Sequence, residues 1–270
     1  MIARISRTTP KIMNTVICTL YEGHYHHGVA ALANSLYHHG FRGQVYVGYR
    51  GDTLPPWADS AMENSELGWE NAQTLKVIDG LVIHFLPITT DYHLANFKPN
   101  FMLQLWKRQA KNAEGMCYFD PDIVIKTSWS YYEKWISYGV AVVHEIINND
   151  MPPSHPLRKE WEKVIEKLDR KVTNQLYAYL NSGFCGLKKS HISFLEDWEK
   201  IVQVGIAFFD FCPQQFLHIN DRGYLFFSYD QDAFNIAAMI STSPISEMGP
   251  EAMDFIYGGF TMSHAVGSPK

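Results

Sequence analysis

The stretch MCYFDPDIVI, residues 116–125, decides the fold that the sequence predicts. Its first four residues form an apolar run that is typical of a buried strand. Pro121 has no N–H group to give to a sheet, so we expect the strand to end there. Asp120 and Asp122 then follow the strand at its carboxyl end, which is the edge where open α/β sheets bind their ligands.

Strand and helix patterns surround this stretch on both sides. Short apolar runs rich in β-branched residues predict strands at 15–20, 44–49, 82–86 and 140–143. Apolar residues at helical spacing predict helices at 29–36, 99–111, 161–168, 194–201 and 232–240. Because strands and helices alternate, we predict an α/β fold with a mostly parallel central sheet flanked by helices.

Composition excludes several classes of protein. The chain has 270 residues, of which 46% are hydrophobic and 19% charged, so it can bury a large core. Its formal net charge of -5 argues against a general nucleic-acid binder, which would carry a basic excess. The sequence holds no apolar run of transmembrane length.

The cysteines and the N-terminus bear on location. Cys18, Cys117, Cys185 and Cys212 lie among apolar neighbours and form no Cys-x-x-Cys pair, which favours reduced thiols and a cytoplasmic protein. Residues 1–11 carry basic side chains and no acid, and we expect a flexible, solvated tail there. Contact of this tail with a membrane surface is the alternative.

The two acids of the opening stretch suit metal chemistry. Asp120 and Asp122 are hard oxygen ligands one residue apart, as Mg²⁺ or Mn²⁺ shared with substrate phosphates would require. A bare Asp-x-Asp pattern is expected by chance in a chain of this size, and residues 230–232 hold a second one. A turn capped by Asp120 is therefore the alternative interpretation.

Six short motifs, in order along the chain, resemble those of one enzyme family. They are Thr19-Leu20-Tyr21 with residues 30–36, Lys98, Tyr118–Asp122, Asn181-Ser182-Gly183-Phe184, residues 230–235 (DQDAFN), and His264-x-x-Gly267-x-x-Lys270. Over nearly the whole chain, this order resembles the retaining glycosyltransferases of the GT-A fold, family 8, which include glycogenin-like and lipopolysaccharide galactosyltransferase-like enzymes.

The resemblance implies a fold, a reaction and partners. It implies one GT-A domain over residues 12–270, with a nucleotide-binding half at about 12–125 and a half for the donor sugar and acceptor at about 126–270. The implied activity is that of a hexosyltransferase, which moves a sugar from a UDP-type nucleotide-sugar, with retention, in the presence of Mn²⁺ or Mg²⁺. The acceptor stays open between carbohydrate, lipid-linked and protein classes, as does formation of a homodimer.

The resemblance also implies roles for individual residues. The implied metal ligands are Asp120, Asp122 and His264. The implied contacts to the nucleotide-sugar are Thr19, Leu20, Tyr21, Lys98, Asp120, Gly267 and Lys270. The implied catalytic residues on the sugar side are Asn181, Asp230 and Gln231. Each has an ordinary structural alternative: core packing for Leu20, a surface position for Lys98, a turn for Asn181 and a helix cap for Asp230.

Two other functions remain open at this point. A phosphotransferase of the haloacid-dehalogenase type also has an apolar strand that ends in Asp-x-Asp, and Asp120 would there be the nucleophile. That motif normally opens the chain, whereas here a strand–helix–strand unit precedes it. The second alternative is a catalytically silent protein that binds a nucleotide-sugar.

Overall fold

The computed structural model describes residues 13–147, 150–217 and 223–266. Its strands are β1 (Thr15–Glu22), β2 (Gly43–Arg50), β3 (Met62–Glu63), β4 (Gln73–Ile78), β5 (Leu81–Pro87), β6 (Gly115–Phe119), β7 (Ile123–Ile125), β8 (Val140–His144), β9 (Leu180–Lys188), β10 (Ile245–Met248) and β11 (Met262–His264). Its α-helices are α1 (His26–His38), α2 (Leu94–Lys107), α3 (Trp129–Ile136), α4 (Pro156–Lys167), α5 (Ser193–Phe208) and α6 (Tyr229–Ile240).

Nine of these strands form one sheet in the order β10-β8-β9-β6-β1-β2-β5-β4-β3. The four central strands, β6, β1, β2 and β5, are parallel to one another. Strand β9 is inserted antiparallel between β6 and β8, and β4 lies antiparallel beside β5. The short strands β7 and β11 form a separate antiparallel pair. The predicted α/β class with a mostly parallel central sheet is confirmed.

Helices cover both faces of the sheet. Alternate residues of β1 point to opposite faces, with Cys18 in one apolar cluster and Ile17 in the other. Helices α2, α4, α5 and α6 pack on the side of Cys18, and α1 and α3 pack on the side of Ile17. The protein therefore has three layers, with the sheet in the middle, and the ends of its strands are left uncovered for a site.

The antiparallel insertion of β9 gives one edge of the sheet its polar residues. Phe119 at the end of β6 pairs with Phe184, and Val143 at the end of β8 pairs with Asn181. Because β9 runs against both neighbours, its beginning lies beside their carboxyl ends. The N–H group of Asp120 donates to the carbonyl oxygen of Gly183 at 2.7 Å, which joins the two segments.

Helix α2 begins earlier than the sequence predicts. We expected a helix over residues 99–111, because proline favours the first helical turn. The helix instead begins at Leu94 and contains Pro99. Its N-cap is His93, whose Nδ1 atom accepts a hydrogen bond from the N–H group of Ala95 at 3.2 Å. Histidine is not among the side chains usually expected at an N-cap, which explains the missed turn.

Two other segments differ from the turns and loops that the sequence suggested. Asn181 and Gly183 lie inside β9 rather than in a turn, and both are buried. Strand β4 was not predicted, although Leu75 and Val77 alternate with polar residues in it. The tail predicted for residues 1–11 lies outside the described residues. Among the described helices, none is long and apolar enough to cross a membrane.

Asn235 fastens α6 to the beginning of β9 and gives a test of this packing. Its Oδ1 atom accepts from the N–H group of Leu180, and its Nδ2 group donates to the carbonyl oxygens of Leu180 and Gln231, all at 2.8–2.9 Å. Replacing it by alanine leaves buried backbone groups without partners, so we expect Asn235→Ala to lower the free energy of unfolding by about 2–4 kcal/mol.

Urea unfolding followed by circular dichroism measures this loss. The exposed Asn112→Ala is the control and should change the free energy of unfolding by less than about 0.5 kcal/mol. Equal effects of the two substitutions would contradict the role given to Asn235.

Candidate active site

A cavity of about 430 Å³ opens at the edge of the sheet where β1, β6 and β8 end and β9 begins. Residues from the first turns of α2 and α6 complete its walls. Polar side chains from separate parts of the chain meet here because the parallel strands all end at this edge. This is the edge at which ligands bind in open α/β sheets.

Asp120, Asp122 and His264 form a cluster in this cavity. The Nε2 atom of His264 lies 3.2 Å from Oδ1 of Asp122 and 3.9 Å from Oδ2 of Asp120. One side-chain ligand atom from each residue lies within 4.8 Å of the other two. Two carboxylate oxygens and one imidazole nitrogen at this spacing could hold a divalent cation.

Strand pairing explains how a residue near the end of the chain reaches the two acids. Strand β11 pairs antiparallel with β7, and the register places His264 opposite Ile123. The N–H group of Ala265 donates to the carbonyl oxygen of Asp122 at 3.0 Å. These backbone bonds hold His264 beside the carboxylates independently of any contact between the side chains.

Two glycines allow the chain to pack closely around this cluster. A Cβ atom on Gly183 would lie 2.7 Å from Cε1 of His264 and 2.9 Å from Oδ2 of Asp120. A Cβ atom on Gly28, in α1, would lie 2.1 Å from the carbonyl oxygen of Pro121. A side chain at either position would displace the cluster, so we take both glycines to be required by its geometry.

The donor set fits a hard divalent cation. The Nδ1 atom of His264 is buried and, within the described part of the chain, has no hydrogen-bond partner. Carboxylate oxygens with one imidazole nitrogen suit Mg²⁺ or Mn²⁺, and three protein ligands leave coordination positions for a substrate. The arrangement therefore fits a metal ion, whose identity the protein ligands alone do not fix.

Lys98 lies behind the cluster rather than on the surface. It is only 2% exposed, and its Nζ atom lies 3.1 Å from Oδ1 of Asp120, 3.1 Å from Oδ2 of Asp230 and 3.2 Å from the carbonyl oxygen of Ser182. Burial opposes the charge of Lys98, but the two carboxylates outweigh burial and raise its pKa, so the ammonium stays protonated.

These contacts exclude the surface alternative for Lys98. An ammonium group has three protons, and three protein oxygens accept them here. Lys98 therefore joins Asp120 to Asp230, and because it also lines the cavity, its contact to the nucleotide-sugar stays a prediction. The surface position considered from the sequence is wrong.

Asp120 is also held by Tyr118. The Tyr118 hydroxyl donates to Oδ1 of Asp120 at 2.9 Å. Burial, reinforced by the neighbouring Asp120 carboxylate, raises the pKa of Tyr118, so this hydroxyl remains a donor. Tyr118 and Lys98 thus both bind Oδ1 of Asp120, and Lys98 also donates to Oδ2 at 3.4 Å, which lies 3.9 Å from Nε2 of His264.

A second group of polar residues lines the cavity next to this cluster. The Ser182 hydroxyl donates to Oδ2 of Asp230, and the Ser182 N–H group donates to Oε1 of Gln231 at 3.2 Å. Asn181 donates to Oε2 of Glu145 at 2.6 Å and accepts from the Gly183 N–H group. Asp230 does not cap α6, as the sequence allowed, but points to β9.

Some of the predicted nucleotide contacts line the cavity and others do not. Leu20 and Tyr21 line the cavity, together with the catalytic candidates Asn181, Asp230 and Gln231. Thr19 does not line it, because it lies further than Tyr21 from the carboxyl end of β1 on the same face, where it is fully buried. Gly267 and Lys270 lie outside the described residues.

Glu145 and Glu22 line the cavity but were not singled out from the sequence. For Glu145 a signal was available, since it follows the predicted strand 140–143 at its carboxyl end, as Asp120 follows its own strand. Glu22 likewise ends β1, where its carboxylate pairs with Arg50 at 2.9 Å. Tyr118 also lines the cavity, and although it opens the motif Tyr118–Asp122, no role was predicted for it.

Comparison with known proteins supports the fold. No family model matches the chain, and no curated protein matches it either. Among solved structures, the chain is similar to the bifunctional glycosyltransferase WbbM in its apo form, with a TM-score of 0.50 and 12% sequence identity over 88% of this chain. The chain spans 39% of the length of that protein.

At this level of identity the similarity shows the fold alone. The layered α/β architecture and the comparison together identify a glycosyltransferase fold of the GT-A type. They give no support to the phosphotransferase alternative, which requires a haloacid-dehalogenase-like fold. They do not distinguish family 8 from other families with this architecture.

Asp232 gives this region a dependence on pH. It is buried beside Asp230, and its carboxyl accepts from the Tyr179 hydroxyl at 2.6 Å and the Ser228 N–H group at 2.8 Å. Burial outweighs these bonds and raises the pKa of Asp232 to about 8. In the unfolded chain the pKa is about 4. Between these values only the folded protein binds the proton, so its stability falls as pH rises.

We therefore expect Asp232→Asn to gain stability relative to the unmodified protein as pH rises. Between pH 5.5 and 7.5 the difference in free energy of unfolding should shift by about 2 kcal/mol in favour of the variant. Urea titrations at the two pH values measure the shift, with the exposed Asp79→Asn as control. Parallel pH profiles of Asp232→Asn and the unmodified protein would contradict the expectation.

Proposed function

We propose that this chain is a retaining glycosyltransferase related to family 8, which moves a hexose from a UDP-type nucleotide-sugar in the presence of Mn²⁺ or Mg²⁺. The observation that supports it best is the meeting of Asp120, Asp122 and His264 in one cavity with the sugar-side candidates Asp230 and Gln231. The sequence placed these residues far apart along the chain, and their roles came only from a resemblance.

The proposed reaction breaks the bond between the sugar and the diphosphate. Negative charge then grows on the leaving diphosphate, and a bound divalent cation would stabilise it as a Lewis acid. Asp120, Asp122 and His264 would hold that cation. Tyr118 and Lys98 keep the Asp120 carboxylate in one orientation, so that its Oδ2 atom is directed to the cluster before substrate arrives.

The residues of this second polar group would bind the donor sugar. Asp230, Asn181 and Gln231 offer oxygen and amide groups that suit sugar hydroxyls, and the Asp230 carboxylate would stabilise positive charge at the anomeric carbon. Retention is proposed from the family resemblance. Proton NMR of the first product would test it, since retention gives an anomeric coupling constant like that of the donor.

Leu20 and Tyr21 would bind the base and ribose at the end of β1. The ring of Tyr21 stacks on that of Tyr49 with 5.9 Å between centroids, which fixes its position. Its hydroxyl is buried and finds no partner among the described residues. A ribose or base oxygen would supply that partner.

The domain organisation, partners and location are part of the same proposal. One sheet runs through both halves of the chain, which supports a single domain rather than two. The proposal also includes contacts of Gly267 and Lys270 to the nucleotide-sugar and the formation of a homodimer. The acceptor stays open between carbohydrate, lipid-linked and protein classes. All four cysteines are unpaired, as a protein of the cytoplasm would have them.

Asp122→Ala tests the proposed metal site. The substitution removes one of three ligands, so we expect the Mn²⁺-dependent affinity for UDP to fall at least tenfold, by about 1.4 kcal/mol or more, while the fold survives. Calorimetric titration of UDP with and without Mn²⁺ measures this. The control is Asp79→Ala, an exposed acid in a turn far from β6, which should bind as the unmodified protein does.

The same titrations separate the alternatives. Unchanged UDP affinity in Asp122→Ala would remove the basis for the metal assignment. Mn²⁺-dependent binding of UDP with no transfer to any acceptor and no hydrolysis would favour the silent binding protein. Hydrolysis of a simple phosphoester that Asp120→Asn abolishes, without binding of UDP, would favour the phosphotransferase.

Gly183→Ala tests the close packing beneath the cluster. The new Cβ atom would push His264 and Asp120 apart, so we expect at least a tenfold loss of Mn²⁺-dependent UDP affinity. Gly186→Ala, in the same strand, is the matched control. Its Cβ atom would meet only side-chain atoms of the core, such as Ile136 Cγ2 at 2.8 Å.

Gly186→Ala should therefore lower the melting temperature and leave UDP affinity unchanged. If the two variants lost UDP affinity equally, the loss would reflect general destabilisation, and the special role of Gly183 would be wrong.

A further inference from the structure

We infer that the donor sugar is an uncharged hexose, and that Glu145 helps to exclude sugars that carry a carboxylate. This inference rests on the proposed function, because it concerns the wall of the cavity at which the donor sugar would lie. It goes further by naming the class of sugar and a residue that selects it.

Asp230 supplies the first observation. It is 1% exposed, it lines the cavity, and its Oδ2 atom is bonded to Ser182 and Lys98. Its Oδ1 atom is buried and has no hydrogen-bond partner among the described residues. An ionised carboxylate oxygen can only accept hydrogen bonds, so a ligand group that pairs with this buried oxygen must be a hydrogen-bond donor. A sugar hydroxyl is a donor, whereas the carboxylate of a uronic acid is not.

Glu145 supplies the second observation. It ends β8 and lines the same cavity, and it is joined to Asn181 by a hydrogen bond of 2.6 Å. Its other oxygen accepts from the N–H group of Ile146 at 2.9 Å. Each oxygen keeps a lone pair that could accept from a ligand. Asp230 and Glu145 therefore both offer acceptors to a molecule rich in hydroxyl groups.

The charged side chains around this wall also favour an uncharged sugar. Lys98 is the lysine or arginine side chain that lines the cavity in the described part of the chain, and its three protons are taken by Asp120, Asp230 and Ser182. The metal-site residues would direct any bound cation towards the diphosphate. Among the side chains that the structure describes, a sugar carboxylate at the wall would thus face Glu145 and Asp230 without a compensating positive charge, which is costly in a partly buried site.

Glucose and glucuronate donors form a suitable pair of probes, since they differ only in the group on C5. One carries a hydroxymethyl group and the other a carboxylate of similar size. The same holds for galactose and galacturonate. A difference in affinity within each pair therefore reports the charge and not the shape of the sugar.

The experiment titrates UDP, UDP-glucose, UDP-glucuronate, UDP-galactose and UDP-galacturonate into the protein with Mn²⁺ by calorimetry. We expect at least one of the two uncharged hexose donors to bind at least about tenfold more tightly than its own uronate partner. In Glu145→Gln, which keeps an oxygen for the Asn181 hydrogen bond, that ratio should narrow at least about threefold. The exposed Glu166→Gln, in α4, is the matched control and should keep the ratio of the unmodified protein.

The outcomes separate this inference from the proposed function. If UDP itself does not bind in the presence of Mn²⁺, the proposed function fails. If UDP binds but each uronate donor binds as tightly as its hexose partner, the proposed function stands and the inference is overturned. A preference for hexoses that Glu145→Gln leaves unchanged would overturn the role given to Glu145.

Discussion

The buried ammonium group of Lys98 is the charge on which the site depends. Asp120 and Asp230 come from different elements, and each would carry an unpaired negative charge in a largely buried position without this cation. Removing one partner of such a buried arrangement costs several kcal/mol, since the remaining charges lose their compensation. Lys98 therefore fixes the distance between the proposed metal side and the proposed sugar side, and it does so before any ligand binds.

Backbone pairing brings the other residues to this cation. An all-parallel sheet would place only carboxyl ends at the edge, with a loop following each strand. The antiparallel strand β9 instead brings a strand beginning to the same edge, so Asn181 and Gly183 are held by the sheet itself. The pair β7–β11 does the same for His264. Polar groups held on strands keep their positions better than groups on loops, which favours a site organised in advance.

Local patterns in the sequence predicted the position of the two acids but not the residues that contact them. An apolar run that stops at Pro121 requires a strand end, so the position of Asp120 at the edge of the sheet followed from the chain alone. Nothing local marks His264, because its place depends on the pairing of β11 with a distant strand, and only the family resemblance indicated it. The burial of Lys98 could not be predicted for the same reason, since burial of a lysine depends on carboxylates that the fold supplies. Glu145 was overlooked although its strand end was predicted.

Buried polar atoms without hydrogen-bond partners support the binding of a ligand in the cavity. Folded proteins pair nearly all such atoms, because each unpaired one costs free energy. Within the described chain, twelve buried side-chain atoms have no partner, and three of them, on Tyr21, Asp230 and His264, belong to residues that line this cavity. A single case would be an isolated defect of packing. Three around one cavity, of which two belong to residues that the sequence had already proposed for different parts of one substrate, indicate groups that the fold leaves for a bound molecule to satisfy.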